Sequence, residues 1–184
     1  NQSKLSGCSI KQISNGYYRS NPIWDFHLDD GGYLYVAVHA KFAYRSDAPW
    51  KQGCKFSPVD EFYPGLKKFN GGNTYALHEN DEGLWLCSNI GLVQLKKATR
   101  KVKTYAIPPN KQDSSAQQGV LDLLETPAGD FWLGSLTGLR YFSARTKQIF
   151  NINGHSAKTK EPLSLEILQM QYSPDSNRVF LSTK

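Results

Sequence analysis

A four-residue pattern that recurs at a nearly fixed interval limits the possible folds of this chain more than any other feature. Each copy places an apolar, an aromatic, an aliphatic and a small residue in that order. The first residues of successive copies are 50, 47 and 48 positions apart. A repeat of this length predicts supersecondary units stacked side by side. The copies are Leu34–Ala37, Leu84–Cys87, Phe131–Gly134 and Val179–Ser182.

The two middle copies each predict four short strands. In the first of them the strands are 74–79, 84–88, 91–95 and 102–105, and the next copy repeats this order between 120 and 152. Clusters of Gly, Pro, Asn and Asp separate the strands, as in hairpins and meanders. No window shows a convincing helical period. Four antiparallel strands in a unit of this length predict the blade of an all-β propeller.

The composition of the second strand explains why such units would stack. Trp85 and Leu86 point to opposite faces of one strand, because side chains alternate along a strand. Both are apolar, so we expect each face of the blade to be covered by a neighbouring blade. The small fourth position suits a crowded inner strand; its residues are Ala37, Cys87, Gly134 and Ser182.

Two copies also resemble the two-component regulator propeller repeat. The shared pattern is Asp-x-x-Gly-x-Trp-(Leu/Ile)-Gly-(Ser/Thr)-x-x-Gly-Leu. It is matched by 83–88 with Gly91-Leu92 and by 129–135 with Gly138-Leu139. The segments 29–35 and 173–180 match less well, and the resemblance covers residues 21 to 184.

The resemblance implies the periplasmic sensor region of membrane-spanning bacterial signalling proteins, of the hybrid two-component or diguanylate cyclase kind. We therefore expect an extracytoplasmic propeller that binds a glycan or another small molecule, needs no cofactor and associates with a second ectodomain. It would not itself be an enzyme, because a kinase or cyclase module would lie elsewhere in the parent protein. A protein-interaction scaffold, or a polysaccharide lyase or glycoside hydrolase, are the alternatives.

The domain prediction is a single propeller domain or fragment. It could be part of a larger propeller, or a four-bladed ring closed by its two terminal half blades. We favour the part of a larger propeller, since the family that the repeats resemble usually builds more than four blades. Its open edges and apolar blade faces would then favour self-association. The predicted units are a half blade 1–20, blades 21–73, 74–106 and 117–153, and a half blade 164–184.

Candidate ligand-binding residues follow from propeller geometry. The loops between strands two and three, and those between strand four and the next strand one, face the same mouth. Loops on a rigid scaffold commonly carry recognition. These residue types are also ordinary turn residues, so the alternative of a purely structural role stays open. The candidates are Asn73, Asn89, Gln118 and Thr137.

Metal and catalytic motifs are not found in the sequence. His27 and His78 fall at nearly equivalent strand ends, where the next copy is expected to carry Glu125, and this spacing does not form a ligand set. Acids such as Asp29 and Asp130 lie in turns, where Asp supplies turn geometry. Asp25 and Asp122 are mid-strand acids that could bind a polar ligand at the axis, or simply face a wet channel.

Charge and cysteine content limit which partners and metal sites the chain could have. The formal net charge is +6, and a basic cluster at 96–103 is interpreted as a solvated outer edge rather than a nucleic-acid surface. No apolar run approaches the about 18 residues that would span a membrane, so membrane contact would come only through segments outside this chain. The three cysteines, with no Cys-x-x-Cys motif, argue against zinc and permit one disulfide without identifying it. They are Cys8, Cys54 and Cys87.

Overall fold

The computed structural model describes most of the repeat region. The predicted half blade 1–20 lies outside the described residues, so its pairing stays a prediction. The described residues are 22–39, 41–49, 55–109, 119–152, 166–175 and 178–183.

The described chain consists mainly of antiparallel sheets whose strand order follows the sequence. The first sheet contains β1 Ile23–Leu28, β2 Leu34–Val38, β3 Ala43–Ser46 and β4 Phe56–Pro58. The second contains β5 Thr74–Asn80, β6 Gly83–Ser88, β7 Gly91–Lys96 and β8 Lys101–Tyr105. The third contains β9 Val120–Glu125, β10 Phe131–Ser135, β11 Gly138–Ser143 and β12 Gln148–Asn151. A hairpin of β13 Ile167–Ser173 and β14 Arg178–Thr183 follows.

The first strands of successive sheets lie next to one another. β1 contacts β5, β5 contacts β9, and β9 contacts β13, while the later strands of each sheet lie progressively further out. This radial order is that of propeller blades around an axis. It confirms the predicted all-β, propeller-type fold.

Each of the four first strands carries the same β-bulge. In β1, Ile23 and Asp25 pair with consecutive residues of β2, so Trp24 is the extra residue. A bulge adds one unpaired residue and increases the local twist of the strand. Its recurrence shows that the repeat extends to strands whose sequences differ. The other extra residues are Tyr75, Leu121 and Leu168.

The faces of β6 are buried against different neighbours, as the alternation predicts. Leu84 and Leu86 belong to a cluster shared with the first sheet. Trp85 belongs to a cluster shared with the third sheet, where its ring lies 4.9 Å from that of Phe131 in an edge-to-face arrangement. The indole is 1% exposed, and its Nε1 donates a hydrogen bond to Asn80 Oδ1 at 2.9 Å.

The small fourth residue of each copy is explained by the next first strand. A Cβ added at Gly134 would lie 2.9 Å from Ile167 Cγ2 and 3.0 Å from the Ile167 carbonyl oxygen. Ala37 and Cys87 are likewise fully buried. Only Ser182, on the solvent-exposed β14, lacks this constraint.

The irregular stretch 38–74 departs from the strand-only expectation. It contains a one-turn helix, α1 Val59–Phe62, and a 3₁₀ helix Pro64–Phe69. Neither is long enough to display a helical period in the sequence. Val59, Tyr63 and Leu66 are buried in the cluster that joins the first and second sheets. The insert therefore thickens this one interface. None of the described helices is long and apolar enough to cross a membrane.

Replacing Trp85 by Ala should lower the free energy of unfolding by about 3–5 kcal/mol, because it leaves a large cavity between two sheets. Trp132 is the matched control, since it occupies the same repeat position but is only partly buried. We expect Trp132→Ala to cost less than half as much in urea denaturation. Equal losses would contradict the packing of Trp85 between two sheets.

Candidate functional site

A cleft of about 1180 Å³ opens between the first and second sheets. It lies at the end where strands one and two, and strands three and four, are joined by turns. The turns at 29–33, 81–83 and 97–100 contribute to its lining, and the insert contributes Phe62 and Tyr63. This is the end of the blades opposite the predicted mouth.

One wall of the cleft is a stack of an arginine and aromatic rings. Arg45, on β3, holds its guanidinium carbon 3.7 Å from the ring centre of Tyr33 and 4.5 Å from that of Phe62. The ring of Tyr35 lies further away, at 5.8 Å. Such cation–π contacts fix the orientation of the guanidinium plane.

The deep side of the cleft is kept neutral by two tyrosines. Tyr35 and Tyr63 are 1% and 4% exposed and hydrogen-bond to each other. Burial raises the pKa of the Tyr35 phenol far above its ordinary value, and Tyr63 adds to this effect. The Tyr35 hydroxyl therefore stays protonated at neutral pH and does not supply a base there.

A charged network forms the floor. The Lys97 ammonium lies 3.1 Å from Asp29 Oδ2 and also pairs with Glu79. Burial lowers the pKa of Lys97, but its hydrogen bonds to Glu79 and Asp29 outweigh this effect and the pKa is raised overall. Asp29 Oδ1 in addition accepts the Tyr33 amide at 2.8 Å. One cation is thus shared by two carboxylates, and its single charge does not balance both of theirs.

Histidine–glutamate pairs connect neighbouring inner strands. His27 Nε2 lies 2.6 Å from Glu79 Oε2, and His78 Nε2 lies 2.6 Å from Glu125 Oε2. The equivalence of the two histidines is confirmed, since they pair opposite Tyr35 and Trp85 in β2 and β6. These side chains tie adjacent blades together.

The expected position of Glu125 is wrong. Opposite Trp132, where the histidine position falls, the third sheet has Leu124. Glu125 pairs opposite Phe131, as Glu79 does opposite Leu84. The loop enclosed by the equivalent pairs is one residue longer in the third sheet (Glu125–Phe131) than in the second (Glu79–Leu84), so counting along the chain misplaces Glu125 by one position. Across the described residues, no group of three or more His, Cys, Asp or Glu side chains could hold a metal ion.

The two mid-strand acids bind neighbouring backbone. Asp25 Oδ2 accepts the Leu77 amide at 2.7 Å, and Asp122 Oδ2 accepts the Met170 amide at 2.6 Å. Each acid therefore satisfies an N–H on the free edge of the next inner strand. Burial raises the pKa of Asp122, partly offset by its backbone hydrogen bonds.

The predicted ligand residues lie at the other end of the blades. Asn89 Oδ1 accepts the Asn73 amide at 2.8 Å, and the Asn73 carbonyl accepts the Asn89 amide at 3.1 Å. Thr137 Oγ1, in the equivalent turn of the third sheet, accepts a hydrogen bond from Arg140 at 2.7 Å. Gln118 lies outside the described residues. The structure brings Asn73 and Asn89 together, and the ligand role of all four stays a prediction.

Sequence reasoning missed the residues of the cleft. Tyr33, Arg45 and Phe62 have no shared motif, and Phe62 lies in the irregular insert. The only available signal was the aromatic content of that insert. Cys87 also proves inert: it is buried and unbridged, and burial raises the pKa of its thiol. Cys8 and Cys54 lie outside the described residues.

Comparisons with known proteins identify the fold. No protein-family profile and no curated protein matches the chain. The extracellular domain of BT4673 from B. thetaiotaomicron, described as a one-component system, matches with a TM-score of 0.66 and 16% identity. The match covers 90% of this chain and 21% of that chain. The extracellular domain of BT3049, described as a hybrid two-component system of the same organism, matches with a TM-score of 0.65 and 20% identity, over 90% of this chain and 20% of that chain.

These structural neighbours are extracellular regions of the class of signalling protein that the sequence resemblance names. At such low identity the likeness shows the fold alone. The chain spans about a fifth of the length of the solved structures it matches. The fold is therefore the one used by sensor regions, while the ligand has to be argued from the residues of this chain.

Substituting Asp122 by Asn should leave the protein at least as stable at pH 7, because the amide oxygen still accepts the Met170 N–H and no buried charge remains. A raised pKa means that the folded protein binds the proton of Asp122 more tightly than the unfolded chain, whose pKa is ~3.9. As the pH falls through the raised pKa toward ~3.9, the free energy of unfolding of wild type therefore increases relative to that of Asp122→Asn. Urea titrations at pH 7 and at acid pH measure this difference.

The matched control is Asp122→Ala, which leaves the Met170 amide without its acceptor. It should cost about 1–3 kcal/mol at pH 7. A gap between wild type and Asp122→Asn that widens in favour of the variant as the pH falls would contradict a raised pKa of Asp122 in the folded protein.

Proposed function

We propose that this chain is part of the extracytoplasmic, periplasmic sensor region of a bacterial signalling protein. In this proposal it binds a small polar molecule, with oligosaccharides as the first class to test. The observation that carries the proposal is the cleft of about 1180 Å³ between the first two blades. The chain shares its fold with extracellular domains of bacterial one- and two-component systems.

The lining of the cleft suits a polar ligand with apolar faces. Ligand sites commonly combine aromatic walls with a few fixed polar groups. Here Phe62 and Tyr63 supply apolar surface, and Asp29, Glu79 and Lys97 supply charged groups held by one another. Sugar rings present this same mixture of C–H faces and hydroxyl edges.

A ligand in the cleft would contact two blades at once. Tyr33 and Arg45 come from the first sheet, whereas Glu79 and Lys97 come from the second and its turn. A ligand that binds one blade arrangement more tightly than another shifts the population toward it. We propose this shift as the signal passed to the rest of the protein.

Binding without catalysis fits the state of the acids. Asp25 and Asp122 are hydrogen-bonded to neighbouring strands, and Glu79 is paired with Lys97 and His27. A glycoside hydrolase needs two carboxyl groups facing the scissile bond. We therefore propose that this region is not an enzyme and needs no cofactor.

An interaction surface is the second candidate function. Phe26 on β1 is 72% exposed and Phe180 on β14 is 57% exposed, among other apolar residues of the same strands. Each of these strands exposes several apolar side chains, and exposed apolar patches are typical of interaction sites. Self-association of ectodomains stays a prediction, which sedimentation of the purified chain would measure.

A panel of neutral and acidic oligosaccharides should contain one that stabilises the protein in thermal unfolding. A ligand at 100 times its dissociation constant adds about 2.7 kcal/mol. Replacing Tyr33 by Leu, in the cleft, should remove most of this stabilisation. Thr137→Val, at the predicted mouth, should leave it intact.

The opposite pattern, loss with Thr137→Val and retention with Tyr33→Leu, would move the site to the mouth. Failure of every oligosaccharide to stabilise the chain would contradict the glycan proposal.

A further inference from the structure

Arg45 differs from the residues that occupy its position in the other sheets. It pairs opposite Tyr35, as Gln94 pairs opposite Trp85 and Tyr141 opposite Trp132. The other two side chains are hydrogen-bonded within their own units. Gln94 Nε2 donates to the Glu82 carbonyl at 3.1 Å, and the Tyr141 hydroxyl donates to Asp130.

Within the part of the chain that the structure describes, Arg45 has no such hydrogen-bond partner. Of the salt bridges formed by the described residues, none includes Arg45, and its Nε is buried without a hydrogen bond. An arginine in this setting usually pairs with a carboxylate in its own plane. The terminal nitrogens of Arg45 form no hydrogen bond to a described residue, so a ligand can accept from them without displacing a protein partner.

Several other charged groups of the cleft are already paired with one another. Lys97 is shared by Asp29 and Glu79, and Glu79 is also paired with His27. A ligand carboxylate would therefore meet competition for Lys97 but none for Arg45. The unbalanced charge of this wall is a cation.

The stacked rings leave one approach to the guanidinium. Tyr33 and Phe62 occupy positions over the guanidinium at 3.7 and 4.5 Å, so its terminal N–H groups are left to bond in the plane. Bidentate, charge-assisted bonds to an oxyanion use this in-plane edge. Because the rings already hold the side chain, less conformational freedom is lost on binding.

We propose that Arg45 makes this cleft an oxyanion site, so that the ligand carries a carboxylate or a sulfate ester. The inference rests on the proposed function, because it names the ligand class of the same cleft. A neutral sugar would leave the charge of Arg45 unpaired and would bind more weakly.

The direct test follows the Nε–H resonance of Arg45, assigned by its loss in Arg45→Gln. Sodium sulfate and sodium acetate are titrated at constant ionic strength, with sodium chloride as the control. We expect a saturable shift with the oxyanions and not with chloride. If neither oxyanion shifts the Nε–H resonance, the inference is overturned, regardless of whether oligosaccharides bind.

The second test compares sugars by calorimetry. Oligogalacturonate carries carboxylates, sulfated galactose oligomers carry sulfate esters, and galactose oligomers of equal length are neutral. We expect the preferred acidic oligomer to bind at least about tenfold more tightly than the neutral one, as a charge-assisted bidentate pair requires. Whichever of the two acidic oligomers binds more tightly identifies the anion as a carboxylate or a sulfate ester.

Variants assign this preference to Arg45. Arg45→Gln should abolish it, whereas Arg100→Gln removes a cation from the same cleft lining and should change it less than threefold. Arg45→Lys keeps the positive charge but lacks the planar pair of N–H donors, so it should retain only part of the preference for the acidic oligomer. Urea midpoints of the variants report whether they remain folded.

The outcomes separate the two proposals. Equal binding of acidic and neutral oligomers, unchanged in Arg45→Gln, would overturn the oxyanion site and leave the cleft as a sugar site. A saturable Nε shift with sulfate, without binding of any oligomer, would support the oxyanion site and contradict the glycan proposal.

Discussion

The structure depends on the face-to-face packing of each sheet against the next. A four-stranded sheet with apolar residues on both faces cannot bury them alone. The second sheet shows the solution most clearly, because Leu86 faces the first sheet while Trp85 faces the third. The small fourth residue allows the next inner strand to approach, as the contact of Gly134 with Ile167 demonstrates. The radial order of the strands follows from this packing.

The interfaces between neighbouring sheets differ in the polar side-chain contacts that cross them. The first interface has both the His27–Glu79 pair and the Asp25 bond to the Leu77 amide. The second has the His78–Glu125 pair, and the third, over its described residues, has the bond between Asp122 and the Met170 amide. The first interface also contains the helical insert and is the most elaborated. It is the interface that opens into the cleft.

The candidate site arises where the first unit departs from the repeat. Position for position, Arg45 replaces a glutamine and a tyrosine, and the insert supplies Phe62 beside it. Lys97 lies in a turn whose counterpart in the third sheet has Ala144. The regular repeat provides rigidity, and these departures provide the chemistry proposed for binding.

The sequence alone determined the repeat, the strands of the middle units, the two-sided burial of Trp85 and Leu86, and the small inner position. These features follow from local alternation and turn residues, which neighbours in the chain specify. Only the tertiary structure decided the recurring bulge, the register that places Glu125 opposite Phe131, and the meeting of Tyr33, Arg45 and Phe62. The physical reason is that these depend on how strands pair and on contacts between separate segments, which no local pattern encodes.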